Sequence, residues 1–148
     1  MDDVEIAVAT AEDIDGVHRL EVEAFPSPWR REFFVSELTA SGRFNLVARR
    51  GGKVIGYVFA MWFFDEMHVN KIAVTRRERR RGIAAELMAR CVEFARIHRI
   101  KTVSLEVRVT NKGAQEFYKM LDFQATYVRQ RYYPDGEAAV VMTKTLPS

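Results

Sequence analysis

Three stretches of β-type sequence stand almost end to end between Phe44 and Val74, with room between them only for tight turns. Phe44 to Arg50 is the first, Gly51-Gly52 makes a two-residue hairpin turn, and Val54 to Phe64 is a long apolar, aromatic run of the kind found in well-buried strands. Asp65-Glu66 reverses the chain again, and Met67 to Val74 is the third strand. Strands joined by so few residues must be antiparallel. After Val74 the period changes. Ile83, Leu87, Met88, Cys91 and Ala95 fall on one face of a helix whose other side carries Arg90, Glu93 and Arg96, and Lys101 to Val109 returns to strand. A helix placed between two strands is a crossover and makes those strands parallel. The chain is thereby committed to a mixed sheet.

The flanks add to it. Glu5 to Ala9 is a short alternating strand, and Thr10-Ala11-Glu12-Asp13 has the form of a capping box with Asp in place of the usual Glu. Ile14, Val17, Leu20 and Ala24 follow at helical spacing. Phe25-Pro26 ends that helix, because the residue before a proline avoids helical ψ. Ser27 is placed to cap a second helix with Pro28 in its first turn, ending at Ser41-Gly42. Asn111 caps a short helix carrying Phe117, Tyr118 and Leu121, and Phe123 to Tyr132 and Ala138 to Leu146 form a terminal hairpin around Pro134-Asp135-Gly136. The order β-α-α-β-β-β-α-β-α-β-β is that of an α/β protein of the α+β type, with helices on the faces of a mixed sheet. At 148 residues, with no linker or repeat, it reads as a single domain covering 1–148.

Charge narrows the function. The net charge is +3, but the segment from Arg76 to Arg81 holds five arginines and one glutamate, while residues 1–25 hold eight acids and one base, Arg19. A nucleic-acid surface calls for a broad basic patch or stripe, so one tight cluster reads better as a small-anion site, or as a solvated turn. No apolar run approaches the ~18 residues that span a bilayer, which argues against a membrane partner. The acidic start has no apolar segment behind it, so no secretory signal is expected. The lone Cys91 can form neither an internal disulfide nor a cysteine metal cluster, and His18, His68 and His98 lack metal-ligand spacing. These features together suggest a reduced, cytoplasmic setting without a metal.

The Arg cluster lies between the strand ending Ile72-Ala73-Val74 and the helix opened by Gly82-Ile83-Ala84. A helix N-terminus exposes unpaired N–H groups and a positive dipole end, and so binds phosphate. Gly82 and Ala84 let the backbone come close, and arginines add bidentate donors. The Gly-Lys-Ser/Thr ending of a Walker A loop is missing, and so is the Rossmann glycine pattern. The alternative is an exposed basic turn before an ordinary helix.

Arg79-x-x-Gly82-x-Ala84 resembles the acyl-coenzyme A loop of the GNAT N-acetyltransferases, R/Q-x-x-G-x-G/A. Its context resembles that family too: Leu105-Glu106-Val107-Arg108-Val109-Thr110-Asn111, then Phe117-Tyr118 and Leu121-Asp122-Phe123, then Arg131-Tyr132-Tyr133-Pro134-Asp135-Gly136-Glu137. With Glu23-Ala24-Phe25 and Pro28-Trp29, the pattern is similar to the RimI-type protein N-terminal acetyltransferases, and through them to archaeal and eukaryotic Nα-acetyltransferase catalytic subunits. The likeness covers nearly the whole chain and is strongest from Asn70 to Met142. It implies a mostly antiparallel central sheet of about seven strands with helices on both faces.

The resemblance also implies acetyl-CoA as cosubstrate. Ile72, Ala73 and Val74 would offer backbone groups to the thioester and pantetheine arm. Arg79, Arg80, Arg81, Gly82, Ile83, Ala84 and Ala85 would hold the pyrophosphate, with Asn111 and Tyr118 on the pantetheine side. Ala84 stands where many members have Gly, and Glu78 puts a negative charge beside the loop. Glu106 matches the family's general base, acting through water from a strand end beside the splayed centre of the sheet, and Tyr118 its general acid. From the residues alone, Glu106 reads first as an in-strand surface glutamate paired with Arg108 or a lysine, and Tyr118 as a core aromatic; the resemblance reverses both. The chemistry is consistent with the base and acid roles. An α-amino group has a pKa near ~7.7–8.0, so a modest base suffices, and a phenol near ~10 can protonate a leaving thiolate.

The acceptor walls in such relatives are the loop between the first two helices and the terminal hairpin loop, here Phe25 to Arg31 and Arg129 to Glu137. Phe25, Pro26, Tyr132 and Tyr133 are the residues singled out for acceptor contact, against the alternative that the two tyrosines only alternate across a strand. Glu23 could attract a cationic N-terminus. His68, on a strand, could lie near the site but reads first as structural, and Cys91 reads as core rather than nucleophile. The acceptor implied is a protein N-terminus, specifically the N-terminal alanine of small-subunit ribosomal protein eighteen. The alternatives are a broader protein Nα-acetyltransferase, a GNAT acting on a small amine, and an RNA- or ribosome-binding module. Weak self-association or a modulating partner protein remains open.

Overall fold

The central strands lie as their spacing requires. The computed structural model describes residues 3–147. In chain order they form β1 (Val4–Val8), α1 (Ile14–Ala24), α2 (Arg31–Thr39), β2 (Arg43–Arg50), β3 (Lys53–Phe63), β4 (Glu66–Val74), α3 (Ile83–Ile97), β5 (Thr102–Arg108), α4 (Lys112–Met120), β6 (Gln124–Arg129) and β7 (Ala139–Thr145). The sheet order is β1-β2-β3-β4-β5-β7-β6. Every neighbouring pair is antiparallel except β4 and β5, the two strands that flank the crossover helix.

Alternation along β3 divides the interior in two. Val54, Tyr57 and Phe59 face α1 and α2, where they pack with Ile14, Val17, Leu20 and Phe34. Ile55, Val58 and Ala60 face α3 and α4, with Leu87, Met88, Cys91, Val103, Leu105 and Tyr118. Two bulges interrupt the alternation. Ile55 is an extra residue opposite Ala48 and Arg49, and Asn70 is an extra residue in β4 opposite Phe59 and Ala60. A bulge bends its strand and increases the local twist, which re-aims nearby side chains. Gly56 lies where β3, β4 and α3 converge. A Cβ there would come within 3.2 Å of the Ala73 carbonyl and 3.4 Å of Ile83, so the close approach of α3 to the sheet depends on its absence.

The helix starts show one agreement and one correction. Asp13 accepts the Thr10 backbone N–H at 2.8 Å, as the capping pattern suggests, although the turn it closes is 3₁₀ before α1 begins. Ser27 does not cap the second helix. The Trp29 N–H that such a cap would engage is donated instead to the carboxylate of Glu21 at 2.9 Å. The chain stays extended until Arg30 (φ −70, ψ 152), and α2 begins at Arg31. The terminal hairpin also differs from expectation. β6 ends at Arg129, so Tyr132 and Tyr133 lie in a connecting loop rather than alternating across a strand.

Candidate active site

β4 and β5 run side by side for only three residue pairs, Glu66 to His68 against Thr102 to Ser104. Beyond these the strands diverge. β5 stays paired with β7 on its other side along its whole length, and past Ser104 the facing backbone groups of β4 and β5 no longer satisfy each other. The gap opens into two hollows, one on each side, which share Ala24, Phe25, Ile72 and Asn111.

The first hollow, of about 660 Å³, is bounded by residues 72–74 of β4, by the turn before α3, and by the start of α4. Gly82 precedes α3 with φ +82, a conformation that costs glycine little. No side chain caps this helix, and the first intrahelical bond runs from Glu86 N–H to the Gly82 carbonyl. The N–H groups of Ile83, Ala84 and Ala85 are therefore open at the cavity edge, the arrangement that accommodates a phosphate. Arg79 is anchored by its Nε to the Val74 carbonyl at 3.1 Å and lines the cavity together with Arg80. Arg81 does not line it; its side chain turns to Glu78 at 3.3 Å. Glu78 is also held by Arg50 at 3.0 Å, so its charge is balanced rather than set against an anion.

Tyr118 reaches this hollow from α4. Its ring is buried against Phe123 and Phe117. Its hydroxyl has no hydrogen-bond partner among the described residues, and it lines the cavity. Burial, with Cys91 beneath it, pushes the phenol above its ordinary pKa, so it stays protonated at neutral pH. Asn111 caps α4 by accepting the Ala114 N–H at 3.1 Å through Oδ1, which leaves its amide N–H groups for the cavities.

The second hollow, of about 570 Å³, opens on the other side between the 25–30 segment and the 130–138 loop. Phe25, Pro26, Tyr132, Tyr133 and Glu106 all line it. Glu106 is not at a strand end but two residues past the last β4–β5 pair, within β5. It does not pair with Arg108. Its Oε1 meets His68 Nε2 at 2.6 Å and accepts the Tyr132 hydroxyl at 3.4 Å, while Arg129 stands 3.6 Å from Oε2. Burial alone would raise the Glu106 pKa, but His68 and Arg129 outweigh it and hold the carboxyl below its ordinary value. Burial would likewise lower the His68 pKa. The Glu106 carboxylate on one side and the Asn70 amide oxygen on the other outweigh that and raise it. His68, which the sequence allows near the site but favours as structural, thus lines this hollow against Glu106. Glu23 does not line this hollow; it accepts the Thr75 hydroxyl at 3.2 Å.

A loop of open N–H donors and arginines beside a split parallel pair is a recognisable arrangement, and the GNAT acetyltransferase family model matches residues 14–123. The chain belongs to the GNAT family. It is an N-acetyltransferase. It is 34% identical over 137 residues to a Bacillus subtilis protein provisionally named a ribosomal protein bS18-alanine N-acetyltransferase, covering 91% of each chain. It is 32% identical over 155 aligned positions to an N-alpha-acetyltransferase of Sulfolobus acidocaldarius, covering 96% of this chain and 92% of the relative. The crystal structure of the ribosomal-protein-S18-alanine N-acetyltransferase of Escherichia coli superposes with a TM-score of 0.90 at 26% identity, covering 98% and 95% of the two chains.

Two features of this GNAT chain carry no motif that could have flagged them. Glu21, completely buried in α1, accepts the Trp29 N–H and the Tyr57 hydroxyl and pairs with Lys71 at 3.0 Å. Lys71 in turn lies 4.0 Å from the centre of the Phe25 ring. On the opposite wall, Arg108 holds the 130–138 loop. Among the described residues no helix is long and apolar enough to cross a membrane.

Proposed function

We propose that this enzyme transfers an acetyl group from acetyl-CoA to the N-terminal α-amine of a protein, and that its acceptor is the N-terminal alanine of small-subunit ribosomal protein eighteen. The observation that supports this most is the pairing of two hollows through one gap. An anion-binding helix start and a protonated phenol face one side, and a carboxylate–imidazole pair between aromatic walls faces the other. The relatives in Bacillus subtilis and Escherichia coli support the choice of acceptor.

The first hollow fits the cosubstrate. The open N–H groups of residues 83–85, with Arg79 and Arg80, suit a pyrophosphate, and the unpaired β4 edge at Ile72 to Val74 suits an amide-bearing arm. The thioester supplies an activated acetyl carbon; in the transfer a C–N bond forms and the C–S bond breaks. On the acceptor side, the amine must be neutral to attack and must lose a proton afterwards. Glu106 and His68 take that proton, directly or through a water. Glu106 is too acidic to do this well alone. The raised pKa of His68 makes it the stronger base of the two, so at a pH above that raised value the imidazole takes the proton while the carboxylate stays charged. On the other side Tyr118 donates its phenolic proton to the departing sulfur. The open hydroxyl is free to give it, and because burial raises the phenol pKa the tyrosinate left behind regains a proton from solvent as the thiol departs. Phe25, Pro26, Tyr132 and Tyr133 flank the acceptor chain, and the tyrosine hydroxyls suit its backbone.

The Sulfolobus relative supports a broader protein Nα-acetyltransferase as a second reading. A panel of peptides that differ in the first residue, and in whether the N-terminus is free or blocked, tests both. Thioester consumption confined to free N-termini, and fastest with alanine, is expected. Equal rates across first residues would favour the broader reading, and transfer to blocked peptides through lysine would remove the α-amine reading.

A further inference from the structure

The two walls of the acceptor hollow are not built alike. No residue from 130 to 137 is fully buried, so the loop bearing Tyr132 and Tyr133 has no apolar anchor of its own. Polar contacts hold it, and they converge on β5. Arg108 Nη1 donates to Asp135 Oδ2 and to Glu137 Oε1, each at 2.8 Å. The face of the same guanidinium covers the Tyr133 ring, 4.1 Å from its centre. Glu137 uses its other oxygen to accept the backbone N–H and hydroxyl of Thr110, just beyond β5. Asp135 closes the turn by accepting the Glu137 N–H at 3.0 Å.

Arg108 lies two residues after Glu106 on the same strand, so both side chains project to one face of the sheet. The strand that carries the candidate base thereby also carries the fastening of the loop over it. When the loop is fastened, the Tyr132 hydroxyl reaches Glu106 at 3.4 Å and Tyr133 forms the side wall.

We infer that the Arg108–Asp135–Glu137 cluster is a latch, which sets the width of the acceptor hollow and so selects an extended polypeptide N-terminus over a small amine. Arg108 is a positioning residue here. The latch rests on the acceptor reading given above. A chain that runs between Phe25 and Tyr133 gains contacts along its length only if the loop stays down. A small amine reaches Glu106 without them. Planar geometry matters, because a lysine ammonium has no flat face to lay on the Tyr133 ring while its N–H groups reach the two carboxylates.

The test compares wild type, the double variant Asp135→Asn/Glu137→Gln, and Arg108→Lys. The acceptors are an alanine-initiated heptapeptide and alaninamide, which carries the same α-amine and no chain. Coenzyme A binding is measured by calorimetry, and thermal unfolding confirms folding. The double variant should raise the peptide KM at least tenfold and hold the peptide kcat within threefold, with alaninamide kcat/KM and coenzyme A affinity within twofold. Arg108→Lys should give an intermediate peptide KM. A peptide KM within twofold of wild type, or equal losses with both acceptors, would overturn the latch. If wild type acetylates alaninamide and not the peptide, the acceptor reading fails and the latch fails with it.

Discussion

The segment at 25–30 and the loop at 130–138 face each other across the proposed acceptor hollow, and opposite means hold them. The first is tied to a carboxylate with no exposure, Glu21, which gathers Trp29, Tyr57 and Lys71 from three different elements. The second is tied by Arg108 and Glu137, each one-fifth exposed, and by Asp135, more than half exposed. A buried charge cannot be released without leaving its partner stranded in a poor solvent, whereas a partly hydrated cluster can open and close at small cost. One wall is therefore a fixed part of the fold. The other is an adjustable part of the site.

The largest effect should come from breaking the fixed wall. Glu21→Ala leaves Lys71 and the Trp29 N–H without their partner and should cost about 3–5 kcal/mol in urea unfolding, the usual range for one half of a buried pair. A loss under about 1 kcal/mol would mean that this wall is no more rigid than the other. By contrast, Asp135→Asn/Glu137→Gln should leave the unfolding midpoint nearly unchanged.

Between the walls lie the groups proposed to react. Glu106→Gln and Tyr118→Phe should each lower kcat about 10²-fold, near the lower end for acid–base groups, with coenzyme A binding held within a few-fold. Turnover equal to wild type in both variants would assign the two hollows a purely binding role.

A smaller effect should distinguish the walls by salt. Screening shortens from about 10 Å at 0.1 M to about 3 Å at 1 M. Raising salt across that range should increase the wild-type peptide KM a few-fold through the latch, and much less in the double variant. Equal salt responses would show that the loop is not held by charge.

The smallest effect concerns pH. The His68 pKa is raised in the fold, so its contribution to stability is fully present below its ordinary value near ~6.5 and is lost as pH rises through the higher folded value. The unfolding-midpoint gap between wild type and His68→Gln should therefore be wider at pH 6 than at pH 9. A constant gap would show that His68 is not charged beside Glu106. The latch carboxylates have lowered pKa values, so their contribution is present above the ordinary carboxylate range and fails only as pH falls through the lowered values. Across pH 6–9 the latch should not respond.

Much of this was legible before any coordinates. Tight turns at Gly51-Gly52 and Asp65-Glu66 left the meander no alternative, and the apolar face from Ile83 to Ala95 required the crossover. The open helix start at the first hollow was readable because Gly82 and its arginines form a local pattern. What was hidden is long-range. Nothing near Ser27 shows that its expected cap partner, the Trp29 N–H, is taken by Glu21 from the preceding helix. Nothing near His68 shows that β4 and β5 pair just long enough to bring it 2.6 Å from Glu106, 38 residues later. Arg108 resembled a partner for Glu106 by proximity in sequence, but strand geometry turns both to one face and gives Arg108 to the loop instead. Local patterns determined the elements; side chains reaching between elements determined the site.

The most direct test offers the enzyme acetyl-CoA and one peptide that carries both a free N-terminal alanine and an internal lysine, and locates the acetyl group by fragmentation mass spectrometry. A single acetyl group on the α-nitrogen, with the lysine unmodified, is the result expected. Acetylation of the lysine with the α-amine left free would contradict the assignment of the hollow between Phe25 and Tyr133 to a protein N-terminus.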